Sequence, residues 1–116
     1  MKISQLAEII DARFVCGEDK KELEVTSAFA CDLMSDVLAY VKESNGVLLT
    51  GLANPQVVRT ACMMDMSCVV LVRNKKPDQK TIELAKQNDI VILQCQHNMY
   101  QTCGLLFNAG LRGDRE

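Results

Sequence analysis

The chain has 116 residues, and its 13 Lys and Arg against 15 Asp and Glu leave a formal charge of −2, with 48% of residues apolar. These are the size and balance of one ordinary globular domain, which buries roughly two-thirds of the surface its unfolded chain exposes and needs neither metal nor disulfide to close a core. They run against a multidomain enzyme, a disordered chain and a nucleic-acid binder working by bulk charge, since a slightly acidic surface releases few counterions from phosphate.

No apolar segment of signal-peptide type opens the chain, no run approaches the roughly 20 residues of a membrane span, and there is no Asn-x-Ser/Thr sequon. The six cysteines, Cys16, Cys31, Cys62, Cys68, Cys95 and Cys103, sit mostly inside apolar runs. They read as reduced, buried thiols of a cytoplasmic protein that does not associate with membranes.

In chain order, Ser4 is the expected N-cap of an opening helix carrying Leu6, Ala7, Ile9 and Ile10. A weak strand over 13–16 is stopped by Gly17 and the charged turn 18–21. Residues 24–31 have the β-branched and aromatic content of a second strand, after which Asp32 or Ser35 caps a helix with Val37, Leu38 and Val41 on one face. Asn45-Gly46 marks a turn into the apolar run 47–50, a strand covered on both faces. Asn54-Pro55 is the strongest helix start in the chain, followed by a stripe of Val57, Val58, Ala61 and Met64. Residues 68–72 form a strand, Pro77-Asp78 opens a helix with Ile82, Leu84 and Ala85, and 90–93 form the last strand. The final helix runs from about Asn98, with Tyr100, Cys103 and Phe107 on one face, to Gly110 as a left-handed cap.

Three successive strand-helix units predict an α/β fold, a three-layer sandwich whose mostly parallel sheet of four or five strands is flanked by helices. Residues 1–111 make one domain, and the polar tail 112–116 is expected to fray.

Several segments read as words of a known family. Val25-Thr26, then Cys31-Asp32-Leu33-Met34-Ser35-Asp36-Val37, Leu49-Thr50-Gly51-Leu52-Ala53-Asn54-Pro55-Gln56 and Lys75-Lys76-Pro77-Asp78 resemble the bacterial DRTGG domain over roughly residues 20–111. The chain is more distantly similar to the N-terminal domain of HPr kinase/phosphorylase. The resemblance implies an α/β sandwich in a small intracellular module, found alone or inserted into larger proteins such as pyrophosphatases with CBS domains, and regulatory rather than catalytic. Over the naming segment this chain reads Glu22-Leu23-Glu24-Val25-Thr26-Ser27-Ala28. Leu23 stands where the family has arginine, and Ser27-Ala28 replaces the glycine pair, which removes the room for a close backbone approach.

In a parallel sheet, ligands collect beyond the carboxyl ends of the strands, where helix N-termini expose unpaired N–H groups. That rule selects loops 32–36, 50–54, 73–76 and 94–98. With Thr26 from the family segment, the candidate ligand-binding residues are Asp32, Ser35, Asp36, Thr50, Gly51, Asn54, Arg73 and His97. The ligand expected is a small anion such as a nucleotide, its phosphate on the 51–54 turn and aided by Arg73 or Lys75. A simpler reading makes Asp32, Ser35 and Asn54 helix caps and nothing more.

Neither a P-loop nor a dinucleotide glycine fingerprint occurs, so a nucleoside-triphosphate enzyme is not indicated. Cys95 and His97 are the only pair at metal-ligand spacing and lack a second pair, so no metal and no cofactor are expected. Met63, Met64 and Met66 read as core fillers, and Arg112-Gly113-Asp114 matches an integrin-binding tripeptide by chance. No catalytic set of acid, base and nucleophile is evident. The chain points to a non-catalytic regulatory or binding module acting as a homodimer or with a protein partner. Two alternatives stay open. One is a small enzyme using a loop thiol or the pair Asp32 and Asp36, which four residues apart on a helix would share a face. The other is a structural subunit docking through the Met-rich helix or a sheet edge.

Overall fold

The runs richest in Val, Leu and Ile occupy the middle of the molecule. In the structure, a computed structural model that describes residues 1–114, the order of elements is α1 (Ile3–Ile9), β1 (Arg13–Cys16), a 3-10 turn (Glu18–Lys20), β2 (Ser27–Ala30), α2 (Met34–Tyr40), β3 (Gly46–Thr50), α3 (Pro55–Met63), β4 (Cys68–Leu71), α4 (Gln79–Gln87), β5 (Val91–Gln94) and α5 (Met99–Asn108). One sheet of five strands has the order β1-β5-β4-β3-β2. Strands β2 to β5 lie parallel in chain order, and β1 joins antiparallel beside β5 with an irregularity between Phe14 and Cys16.

Every residue of β3, β4 and β5 is buried, because helices cover both faces. Leu48, Val69, Leu71 and Ile92 face α2, α3 and α4, through Val37, Val58, Ala61 and Ala85. Val47, Leu49, Val70 and Leu93 face α1 and α5, through Ile3, Leu6, Ile10 and Leu106. The expected three-layer α/β sandwich is the fold observed. Among the described residues, no helix is long and apolar enough to cross a membrane.

Helix starts follow cap chemistry where the cap has no competing partner. Asn54, Asp78 and Asn98 accept from Val57, Thr81 and Gln101 N–H at 3.3, 2.8 and 2.9 Å. Gly110, at φ 104°, follows the end of α5. Ahead of β1, β3, β4 and β5 the chain reverses through Asp11, Asn45, Asp65 and Asp89, all with positive φ, where short polar side chains tolerate the left-handed region.

Several expectations need correction. Helix α1 starts at Ile3, ahead of Ser4. Lys2 N–H donates to Gln5 Oε1 at 2.8 Å, and Ser4 N–H is taken by Lys21 O at 2.8 Å. Neither Asp32 nor Ser35 caps α2: Leu33 is its N-cap, without a side-chain bond, and the Asp32 carboxylate turns toward β3. In α5 the buried positions are Thr102 and Leu106, while Tyr100 and Phe107 are 88% and 57% exposed. Of the cluster Met63, Met64 and Met66 only Met66 is buried in the core; Met64 is half-buried and Met63 faces solvent. The tail is not detached over 112–114, where it hydrogen-bonds along the outer edge of β2. Arg115 and Glu116 of the tail lie outside the described residues.

Candidate functional site

Because β2 to β5 run parallel, the loops that follow them leave one end of the sheet and form a common rim. The Cys31 N–H donates to Leu49 O at 3.0 Å, which extends the β2–β3 ladder past Ala30 and delivers Asp32 beside the end of β3. There Asp32 Oδ1 accepts from Gly51 N–H at 2.7 Å and from the Thr50 hydroxyl at 3.0 Å. Thr50 Oγ1 in turn accepts from Leu52 N–H at 3.2 Å. The first turn after β3 is therefore clasped by a carboxylate from the neighbouring loop.

Position 51 is bordered closely by two charged side chains. A Cβ there would stand 3.1 Å from Arg73 Nη2 and 3.6 Å from Asp32 Oδ1, so the guanidinium and the carboxylate both close on that backbone. Arg73 and Asn74 are consecutive residues in the left-handed region, at φ 56° and 54°. Strain of this kind persists only where the surroundings impose it. Here Arg73 N–H donates to His97 O and Asn74 N–H to Cys95 O, both at 2.8 Å, tying the loop after β4 to the loop after β5.

That tie lies at a reversal in the fold. The chain leaves β4 toward α4 on one face of the sheet and leaves β5 toward α5 on the other. Crevices open at such points in open α/β sheets. Sequence reasoning reached Arg73, His97 and the loop 94–98 there but missed Arg13 and its pairing with Gln94. Strand β1 runs antiparallel to β5, so Arg13 stands opposite Gln94 at the same rim. Arg13 Nε donates to Gln94 Oε1 at 2.6 Å, and Gln94 Nε2 donates to Lys75 O at 2.8 Å. This buried amide spends both its ends orienting a cation and fixing the basic loop 73–76. Its only signal in the sequence is a polar residue closing the apolar run 90–93.

The structure thus brings Asp32, Thr50, Gly51, Asn54, Arg73 and His97 to one end of the sheet. His97 serves the loop through its carbonyl and is half-buried; Asn54 spends its side-chain oxygen on the α3 cap. Thr26 does not join them. It precedes β2 at the opposite end, with its hydroxyl on Ser44 O at 3.3 Å. Ser35 and Asp36 lie in the first turn of α2, where Asp36 lines a cavity of about 570 Å³ with Phe29, Cys31, Tyr40 and Lys42. Asp32 precedes α2, so it and Asp36 are not a pair on one helical face.

Burial pushes the thiols of Cys16, Cys68 and Cys103 up, away from the reactive thiolate. The Thr81 hydroxyl, and then its N–H, hold the Asp78 carboxyl below the usual carboxylate range at the start of α4. Among the described residues, no three His, Cys, Asp or Glu side chains are grouped to hold a metal ion.

The family model described as the DRTGG domain matches residues 5–109. The chain belongs to the DRTGG domain family. Among solved structures, this DRTGG chain is similar to the CBS and DRTGG domains of the regulatory region of Clostridium perfringens pyrophosphatase, complexed with its activator, diadenosine tetraphosphate. The TM-score is 0.73 at 15% sequence identity, over 90% of this chain and 45% of that one. At that identity the likeness establishes the fold, and this DRTGG chain spans less than half of that regulatory region. No curated protein matches it significantly.

Proposed function

We propose that this DRTGG chain is a non-catalytic regulatory module that holds a small anionic ligand of the nucleotide class on the rim formed by the loops after β3, β4 and β5. The observation that carries the reading is the Arg73 guanidinium lying against Gly51, where phosphate oxygens would meet a planar donor beside the turn leading into α3. Arg13, Lys75 and Lys76 stand on the same rim. The nucleotide carried by the similar regulatory region supports that ligand class. The thiols of Cys16, Cys68 and Cys103, which burial pushes up, speak against a thiol enzyme built on them and suit a reducing, cytoplasmic setting. Association with a second copy or a protein partner belongs to the same reading, given the exposure of Tyr40, Met63, Tyr100 and Phe107.

Thermal-shift titration with nucleotides and inorganic polyphosphate tests it. A ligand at 100 times its Kd adds about 2.7 kcal/mol. The chain is expected to gain stability with at least one of these anions, and Arg73→Gln is expected to abolish the gain. If none of them shifts the chain, the anion reading fails.

A further inference from the structure

The opposite flank of the sheet carries a contact that the anion rim does not use. Residues 112–114 run parallel to β2: Ala28 N–H donates to Arg112 O at 2.9 Å, and Asp114 N–H donates to Ala28 O at 3.0 Å. The Asp114 carboxylate then accepts from Lys42 N–H at 2.8 Å and Glu43 N–H at 2.9 Å, just past the end of α2. Arg112 fastens the other side, with Nη1 on Phe107 O at 2.9 Å and its guanidinium 4.3 Å from the Phe107 ring centroid. The tripeptide Arg112-Gly113-Asp114 therefore serves as a short strap over a sheet edge.

The strap satisfies the backbone and the carboxylate donors but leaves side-chain room unfilled. Gly113 borders two cavities, one of about 570 Å³ reaching Phe29 and Tyr40 and one of about 140 Å³ reaching Leu49, Leu106 and Phe107. A Cβ on Gly113 would meet only Ala28 O, at 3.8 Å. An edge strand with paired backbone groups and apolar room beside it is the arrangement by which extended peptides are recognised through strand addition.

We propose that the β2 edge is an acceptor for an extended peptide anchored by an aspartate, a place that residues 112–114 occupy in cis. The partner is a segment running parallel to β2 with an apolar residue in the place of Gly113 and an aspartate in the place of Asp114. The apolar side chain fills the space beside Ala28 and Ala30, and the carboxylate takes the Lys42 and Glu43 N–H groups. Both capturing groups are N–H donors, and the two oxygens of one carboxylate take one each, which a side chain with a single acceptor oxygen does not match. This inference is independent of the ligand rim, which lies on other loops.

The test is an amide chemical-shift titration of the full chain carrying Asp114→Ala, with a capped Leu-Arg-Val-Asp peptide. Saturable shifts at the Ala28, Lys42 and Glu43 amides are expected. Binding should weaken about tenfold or more when the peptide ends in Asn, because a charge-assisted pair of bonds is lost. It should also weaken against the unmodified chain, whose own strap competes. Unmoved amides at these three positions, or equal binding of the Asn peptide, would overturn the proposal. A second variant guards against misfolding of the first: Gly113→Val in the full chain should slow hydrogen exchange at the Ala28 amide, and faster or unchanged exchange there would contradict the room assigned to that position.

Discussion

Asp32, at the end of β2, holds the Gly51 amide 2.7 Å from its Oδ1 and so clasps the turn that follows β3. With the Thr50 hydroxyl on the same oxygen, one carboxylate fixes two loops of the rim. Asp32→Ala is expected to cost about 1–2 kcal/mol in urea denaturation, the worth of charge-assisted bonds near solvent. Asp32→Asn keeps an acceptor in place and should cost less. Equal losses for the two variants would mean that the bonds to Thr50 and Gly51 do not set the effect.

Two glycines should respond to alanine in opposite ways. At Gly17, φ is +85° and a Cβ would fall 2.9 Å from Val91 Cγ2 and 3.0 Å from Val91 Cα, so both conformation and space forbid it. Gly17→Ala should destabilise by about 2–4 kcal/mol. At Gly51 the obstruction is the far end of the flexible, exposed Arg73 side chain. Gly51→Ala should therefore cost less than about 1 kcal/mol, yet displace the guanidinium and weaken anion binding. Thermal denaturation of both variants, with and without polyphosphate, separates the effects.

What the sequence disclosed, and what it withheld, follows from how local each determinant is. The apolar runs 47–50, 68–72 and 90–93 and the caps at Asn54, Asp78 and Asn98 act within a few residues, and each is found where local chemistry placed it. Strand β1 contains only four residues of mixed character, and its antiparallel seat beside β5 depends on a pairing between Arg13 and Gln94 far along the chain. Asp32 looks the same in sequence whether it caps its own helix or clasps the next loop. The choice falls to the β2–β3 ladder, which carries Cys31 onto Leu49 and aims the carboxylate away from α2. The strap at residues 112–114 was hidden for the same reason, because three polar residues announce no pairing partner.

Thiol reactivity offers a separate check on the core. Cys62 is exposed, whereas Cys16 and Cys68 are buried and, like Cys103, have their thiols pushed up by desolvation. Alkylation at neutral pH followed by mass spectrometry should modify Cys62 first and Cys68 last. Rapid modification of Cys68 in the native chain would contradict its place between β3 and β5.

The acid limb of stability should carry the mark of Asp78. Its carboxyl is held low by the Thr81 hydroxyl first and the Thr81 N–H second. A depressed folded value means that the contribution is complete above the ordinary carboxylate value of roughly 4 and disappears as pH falls through the lower folded value. Melting temperatures measured across that window should fall toward acid, and Asp78→Asn, which still caps but does not ionise, should flatten the slope. An unchanged slope would remove Asp78 from the explanation.

The rim itself is tested most directly by an amide chemical-shift map of the full chain titrated with a nucleoside diphosphate. Saturable changes are expected at Gly51, Ala53, Arg73, Asn74 and His97, and these should vanish in Arg73→Gln. Changes confined to the far end of the sheet, around Thr26 and Ser44, or none at all at millimolar nucleotide, would contradict the placement of an anion among these loops.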